Sequence, residues 1–305
     1  MHCSIIIPVH NKEAHVARAI RSVFRQTRED WELIVVDDAS TDGSAAVVRQ
    51  FDDPRLTVIR RDTPGPGGYR ARNAGARTAS GRWLSFLDAD DEWAPGYLAA
   101  IAALHARFPG AELLSTGWRN VYGPGIEGSD RYYRAHAHRG DHTYDRTAFL
   151  RASLAAARPV CSSVATVRKS LLAQAGGFPE SGPGRGGDVD TWFRIMMTGA
   201  TGAWAAEIGA VYHRDSQNMT TRRVAPGARD NHLLRSIRRA LADERDAAAQ
   251  ALLCDYRCAV QRSIRRDLRQ HRMLQLAGAL LGQKLSRRLV QRAMRMKRGK
   301  EDGTP

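Results

Sequence analysis

Apolar positions in the first third of the chain switch repeatedly between two patterns. Residues 3–9, Cys-Ser-Ile-Ile-Ile-Pro-Val, are a short β-branched run and read as a strand. Val16, Ala19, Ile20, Val23 and Phe24 then keep helical spacing as far as Gln26. Residues 31–36 form a second buried strand that ends at Asp37 and Asp38. A helix over 43–51 follows, with Thr41 or Asp42 placed to cap it. Next come a strand at 56–59, a short helix at 71–79, a strand at 83–87 and a helix over 95–108 with Pro95 in its first turn. Strands alternating with helices predict an α/β fold with a doubly wound, mostly parallel sheet.

Beyond residue 118 the pattern loosens. Residues 123–142 are rich in Gly, Tyr, Arg and His and read as a long surface excursion. Residues 176–187 form a Gly/Pro-rich loop that opens onto a helix at 188–197. Loops this long in a compact domain usually serve function or motion. From Asn231 onward the pattern is helical, Arg-rich and free of proline until Pro305. The expected division is an α/β domain over 1–225 and a basic, mainly helical region over 226–305.

Charge sharpens that division. The net charge is +15. Residues 229–305 hold 19 Lys and Arg against 8 Asp and Glu, whereas residues 1–228 hold 28 against 24, so the basic character belongs mostly to the tail. There, Leu274, Ala277, Leu281, Leu285 and Leu289 share one helical face beside Arg287, Arg288, Arg292, Arg295, Lys297, Arg298 and Lys300. Such a helix either lies on an anionic membrane surface or packs on the domain with a solvated basic side. Nucleic acid is not an expected partner, because no binding motif is present and the tail holds no aromatic residue beyond Tyr256. The scattered Cys3, Cys161, Cys254 and Cys258 form no disulfide framework. No secretory leader is legible, and no apolar run approaches the roughly 18–20 residues of a membrane span. The expected location is the cytoplasm, with the tail offering peripheral attachment to the inner face of the cell membrane.

The chemistry concentrates after the strand at 83–87. Asp88, Asp90 and Asp91 follow it within four positions. Crowded carboxylates repel unless a cation or donor groups neutralise them, and strand carboxyl ends are where α/β sheets bind ligands. An Asp-x-Asp there can hold a hard divalent cation and a ribose hydroxyl together. The alternative is that Asp90 or Asp91 caps the helix near Pro95. Asp38 offers a carboxylate to the N–H of a uracil-like base, or serves a turn. His10 can stack on such a base, or is a satisfied polar neighbour. The run Gly65-Pro66-Gly67-Gly68 lacks the spacing of a phosphate-cradling loop and reads as a flexible turn.

Four segments, in order, resemble family-2 glycosyltransferases of the GT-A fold. They are Ile5-Ile6-Ile7-Pro8-Val9-His10-Asn11-Lys12-Glu13; residues 32–42, with Asp37-Asp38 and Ser40-Thr41-Asp42; Ala71-Arg72-Asn73-Ala74-Gly75 with residues 81–91; and Ala175-Gly176-Gly177-Phe178-Pro179-Glu180 followed by Asp188 and Trp192-Phe193-Arg194. The resemblance covers roughly residues 3–215. It implies an inverting, metal-dependent transfer of a sugar from a nucleotide-sugar donor, with UDP as the habitual nucleotide, to a hydroxyl acceptor on a saccharide or lipid-linked glycan. It implies a nucleotide pocket of Pro8, Val9, His10 and Asp38, with Arg72 steadying Asp38 or a phosphate. It assigns Asp90 as the ligand of Mn²⁺ or Mg²⁺, Asp88 to the ribose or a metal-bound water, and Asp188 as the base that deprotonates the acceptor.

Two departures from the family pattern matter. The usual Glu-Asp pair reads Gly187-Asp188, which leaves Asp190 as an alternative register. The closing cluster Tyr212-His213-Arg214 is followed by Asp215 where a His is common, so a third metal ligand is open. A catalytically degenerate sugar-nucleotide-binding protein with a basic docking tail is the rival reading. A nucleotidyltransferase is disfavoured, because residues 8–13 lack a Gly-rich basic loop.

Overall fold

The computed structural model describes residues 1–216 and 231–269. A ten-stranded sheet runs through the molecule in the order β3-β2-β1-β4-β9-β6-β10-β5, with β7 on β6 and β8 on β10. Its first half is parallel: β1 (Cys3–Val9), β2 (Trp31–Asp38), β3 (Leu56–Arg61) and β4 (Trp83–Phe86). Its second half is mixed. β9 (Thr166–Arg168) lies antiparallel between β4 and β6 (Leu113–Gly123), and β6 is parallel to β10 (Gly202–His213). The short β5 (Glu92–Trp93), β7 (Ile126–Ser129) and β8 (His142–Tyr144) pair antiparallel at the margins.

Strand alternation divides the apolar residues between two cores. Cys3, Ile5, Ile7 and Val9 of β1 pack with α1 (Val16–Phe24) and α4 (Tyr97–Arg107) on one face. Ile6, Ile34 and Val36 pack on the other face with α3 (Tyr69–Thr78), α6 (Arg146–Leu154), α7 (Lys169–Gln174) and α8 (Gly187–Met197). Burying one such aliphatic side chain stabilises the fold by about 1.5–3 kcal/mol. α3 sits unusually close to the sheet. A Cβ on Gly75 would stand 2.6 Å from Ile6 Cγ2, so only glycine permits that approach. The short α2 (Ser44–Val48) is started by Asp42, whose carboxylate accepts the Ser44 N–H at 3.0 Å.

The stretch expected as a surface excursion is ordered. β6 and β7 form a hairpin turning through Gly123 and Gly125, both at positive φ. Asp130 then caps α5 (Arg131–His136) through the Tyr133 N–H and ties it back to the Trp118 N–H, each at 2.9 Å.

The boundary expected at 225/226 falls between the two described stretches, but the residues beyond it share the domain's core. α9 (His232–Asp243) buries Leu233, Leu234 and Ile237, and a further helix over 247–269 buries Leu253 and Tyr256 in the same cluster as α8. His232 meets Tyr69 edge-on, and Tyr256 lies 6.0 Å from Phe193. Residues 231–269 thus pack on the α/β domain. The amphipathic stretch from Leu274 to Leu289, with its basic flank, lies outside the described residues. No helix among the described residues is long and apolar enough to cross a membrane.

Candidate active site

The carboxyl ends of β1, β2 and β4 lie side by side, so the loops that leave them share one rim of the sheet. Asn11 after β1 and Ala39 after β2 both take left-handed φ, at 54° and 56°. That conformation is unfavourable for residues with a Cβ and persists where neighbours enforce it. Here the two loops enforce each other. Asn11 N–H donates to Ser40 Oγ at 3.1 Å, Thr41 N–H to Asn11 Oδ1 at 2.8 Å, and Lys12 N–H to Ser44 Oγ at 2.8 Å. His10 Nδ1 donates to the Asp38 carbonyl at 2.8 Å, which fixes the imidazole over the end of β2. Pro8 lies beside Gly68 and Arg72, whereas the Val9 side chain is fully buried in the core and only its backbone reaches the rim.

Asp38 is buried and doubly held. Arg61, directly opposite it in the β2–β3 register, forms an ion pair with Oδ1, and Gly65 N–H donates to Oδ2 at 2.9 Å. Arg72 therefore does not steady Asp38. It pairs with Asp88 instead and donates to the Gly67 carbonyl at 3.1 Å. The loop around Gly65 is also no free turn. Gly67 and Gly68 take positive φ, and Gly67 packs against the Gly184 carbonyl and the Tyr69 ring.

The acidic cluster is held by cations from α3, the loop after β1 and α1. Asp88 is gripped by Arg72 of α3, and Asp90 Oδ2 lies 2.5 Å from Lys12 Nζ, while Arg18 donates to the Asp90 carbonyl. Burial raises the Asp88 carboxyl above the usual aspartate range; Asp90 and Asp188 add to this and Arg72 opposes it. Burial, with repulsion from Asp90 and Asp88, pushes Asp91 up further. Asp91 caps no helix. It accepts the Ser163 hydroxyl at 2.5 Å and the His213 N–H at 3.0 Å, tying the cluster to β10, while α4 starts at Gly96 with no side-chain cap.

α8 brings the last group. Asp188, in its first turn, lies close enough to Asp88, Arg72 and Tyr69 to shift the titration of all three. Asp190 is buried and engaged elsewhere: Arg194 Nε donates to it at 2.9 Å and the Ser236 hydroxyl at 2.5 Å. Three locks position this helix. Asn73 of α3 accepts the Phe178 N–H and donates to the Phe178 carbonyl and to Glu180, each at 2.9 Å. Arg194 donates to the carbonyls of Ala175 and of Gly177, the latter at 2.7 Å. Tyr69 Oη accepts the Gly187 N–H at 2.8 Å. His213 is committed as well, with Nε2 3.0 Å from Glu92 Oε1.

Among the described residues, no three His, Cys, Asp or Glu side chains converge to hold a metal by themselves. Mg²⁺ does not require that, since it is commonly held by one or two carboxylates together with substrate phosphates. Asp88 and Asp90 fit that pattern. They repel each other, and each already draws a cationic side chain.

The family model for glycosyl transferase family 2 matches residues 4–158, about half of the chain. The chain belongs to that family. One similar relative is the Escherichia coli UDP-Glc:alpha-D-GlcNAc-diphosphoundecaprenol beta-1,3-glucosyltransferase WfgD, 41% identical over 90 residues, or 30% of this chain and 35% of that protein. Another is the Rhizobium meliloti succinoglycan biosynthesis protein ExoW, 36% identical over 134 residues, or 43% of this chain and 39% of that protein. The chain thus spans little more than a third of these relatives. Among solved structures, S. aureus TarS 1–349 in complex with UDP-GlcNAc matches with a TM-score of 0.68 at 19% identity, over 84% of this chain and 71% of that one. The Pyrobaculum calidifontis mannosyltransferase PcManGT, in complex with GDP-Man and Mn²⁺, matches at 0.61 and 22% identity, over 97% and 80%. The fold is GT-A.

Within this family-2 site, sequence reasoning missed Arg61, Lys12 and Arg18. Arg61 was recoverable in principle: it ends β3 where Asp38 ends β2, and parallel pairing puts the two opposite. Lys12 stands inside the first family segment, but nothing in its spacing pointed to Asp90, 78 residues away.

Proposed function

We propose that this protein is an inverting glycosyltransferase that moves a sugar from a nucleotide-sugar, UDP-linked, to a hydroxyl acceptor in polysaccharide or glycoconjugate synthesis. One observation carries the reading. Asp38, Asp88 and Asp90 close or follow strands that end on one rim of the sheet, and Asp188, in the first turn of α8, is near enough to raise the Asp88 carboxyl. A donor laid along that rim has its base at the β1–β2 end and its diphosphate at the acidic cluster.

In this reading Asp38 and His10 recognise the base, held by Arg61, the Gly65 N–H and each other. Asp88 and Asp90 would hold Mg²⁺ or Mn²⁺. When bound, the metal offsets the negative charge that grows on the leaving group. Arg72 orients Asp88. Asp188 accepts the proton of the acceptor hydroxyl as that oxygen attacks the anomeric carbon. The face opposite the diphosphate is attacked, so the anomeric configuration inverts. Asp190 is unsuited to that role, because its carboxylate already serves Arg194 and Ser236. The UDP-GlcNAc bound by TarS and the acceptor named for WfgD support a nucleotide-sugar donor and a glycan acceptor of this class. The basic stretch 274–300 would hold the enzyme at an anionic membrane surface.

Thermal-shift titration with UDP, GDP and their sugars, with and without Mn²⁺, tests this directly. Ligand at 100 times its Kd stabilises the native state by about 2.7 kcal/mol, enough for a shift of several degrees. A metal-dependent shift with UDP is expected. A shift with GDP alone would move the nucleotide assignment, and none with any nucleotide would sink the donor reading.

A further inference from the structure

α8 has no cap of its own. The first N–H groups of a helix lack partners within it, and Gly186, the residue before this one, has no side chain to supply one. The Gly187 N–H is instead met by Tyr69 Oη, from α3 and 118 residues earlier, at 2.8 Å. Gly186 stands at φ 83°, so the chain bends there into the turn that carries Asp188. The direction of that turn is set from outside the helix.

Tyr69 is itself firmly held. Its side chain is buried, lies parallel to Phe178 at 6.4 Å and meets His232 edge-on at 6.3 Å. His232 is fixed in turn: Nε2 donates to the Pro183 carbonyl and Nδ1 accepts from Arg235, each at 3.0 Å. Burial, and after it the nearby Asp188 carboxylate, pushes the Tyr69 hydroxyl up, so it stays a neutral phenol.

The ring also accounts for Gly187. A Cβ there would stand 2.6 Å from Tyr69 Cε2 and 2.6 Å from Pro179 Cγ, so the tyrosine occupies space that a side chain would need. The glycine that breaks the Glu-Asp pattern is thus required by its neighbour. On its other side the ring borders the nucleotide loop. A Cβ on Gly67 would stand 2.7 Å from Tyr69 Cζ, and Tyr69 directly follows the loop whose Gly65 N–H holds Asp38. One side chain therefore touches both the loop at the base end and the helix turn that carries Asp188.

We propose that Tyr69 is a positioning residue: it fixes the first turn of α8 against the nucleotide loop and so sets where the Asp188 carboxylate stands relative to the donor. The inference rests on Asp188 being the base of the proposed transfer. A misplacement of about 1 Å near a reacting group costs on the order of 100-fold in rate. Rate, rather than donor affinity, should therefore register a change at Tyr69.

The test compares the full-length protein with Tyr69→Phe, Gly187→Ala, Asp188→Asn and the double variant Tyr69→Phe/Asp188→Asn. Rates are read as UDP release from UDP-glucose, UDP-GlcNAc and UDP-galactose with Mn²⁺, water taking the acceptor's place, and affinity by calorimetric titration with UDP. Tyr69→Phe keeps the ring and should keep UDP affinity within about twofold, while kcat falls about tenfold to 100-fold. In the Asp188→Asn background the same change should lower the residual rate by less than about twofold, because residues that act as a unit are not additive. A merely structural tyrosine would cost both backgrounds alike. Amide hydrogen exchange over residues 182–193 should be at least about tenfold faster in Tyr69→Phe. Gly187→Ala pushes on the same contact with the hydroxyl intact and should give the same split between kcat and UDP affinity; it decides in place of Tyr69→Phe should that variant not fold. A Tyr69→Phe kcat within about twofold of the parent, or equal losses in the two backgrounds, would overturn the proposal while leaving the base assignment standing. Parental rates from Asp188→Asn would sink the base assignment and this inference with it. A parent that hydrolyses none of the three donors counts against the glycosyltransferase reading, and unchanged exchange in Tyr69→Phe would then overturn the lock on its own.

Discussion

Asp188 and Asp190 stand two residues apart in one helix, and replacing each by Asn should give opposite phenotypes. Asp190 is the structural one. Its side chain is 4% exposed and holds Arg194, itself 22% exposed, at 2.9 Å. Breaking a buried ion pair costs about 3–5 kcal/mol. Asn keeps one acceptor and Arg194 keeps its bonds to Ala175 and Gly177, so about 2–3 kcal/mol is the reasonable cost here. For a domain of this size each kcal/mol lowers Tm by about 2–4 °C, so Asp190→Asn should melt roughly 4–12 °C lower. Asp188→Asn should melt within about 1–2 °C of the parent, because Asn also suits a helix start. Its transfer rate should nevertheless fall at least about 100-fold, the lower range for loss of a general base, or about 2.7 kcal/mol of barrier. The assays are differential scanning fluorimetry, calorimetric donor binding and UDP release in the presence of acceptor glycan. Donor affinity should survive in Asp188→Asn. Parental rates from Asp188→Asn, with a dead Asp190→Asn that melts normally, would transfer the base to Asp190. Parental rates from both would refute the mechanism.

Asp90→Ala should abolish the metal-dependent part of UDP binding; calorimetry showing parental Mn²⁺–UDP affinity would remove Asp90 from the metal site. Asp38→Asn should weaken donor binding about tenfold or more with a smaller effect on kcat, since one charged acceptor is lost; identical donor dissociation constants would take Asp38 out of the pocket. Deletion after residue 225 should give aggregated protein, because it strips Leu233, Leu234, Ile237, Leu253 and Tyr256 from the core, whereas deletion after 269 should stay folded and lose only salt-sensitive sedimentation with anionic liposomes. A folded, monodisperse 1–225 fragment would contradict the shared core. Asp91 sets a pH slope. Its folded pKa is raised well above 3.8, so the native state binds more protons than the unfolded state above that pH, and stability should fall as pH rises through this window. Asp91→Asn should flatten that fall in urea titrations between pH 4 and 7, and parallel slopes for the two proteins would show that another group is responsible.

The parallel half of the sheet was legible because β1, β2 and β4 are mostly apolar runs, the last two closed by Asp, and α1 keeps a clean helical stripe. The second half was not. β8 and β9 are three residues each, too short to show a period, and β10 carries register shifts between Ala205 and Ile208 and again before Ala210. The candidate site was legible as a set of carboxylates at strand ends but not as a set of pairs. Sequence spacing placed Arg72 near the nucleotide and could not choose between Asp38 and Asp88. The choice depends on how closely α3 lies on the sheet, which Gly75 decides. Asp190's commitment depends on Ser236, from a helix read as part of a separate region.

The bonds that complete the site close very long stretches of chain. Asn73 meets Phe178 across 105 residues, Tyr69 meets Gly187 across 118, and Asp91 meets His213 across 122. During synthesis, β1 to β4 can pair in the order in which they emerge, but β4 gains its outer neighbour only when residues 166–168 have left the ribosome. Until then the nascent chain presents an unpaired apolar edge, Trp-Leu-Ser-Phe, of the kind that recruits other chains. The candidate site is thus completed last, by contacts from residues 166–213, after most of the protein has been made. Contacts of such high sequence separation also slow folding. Translation pauses or chaperone capture between about residues 90 and 170 should therefore govern the yield of folded protein more strongly than mutations that alter the finished fold's stability.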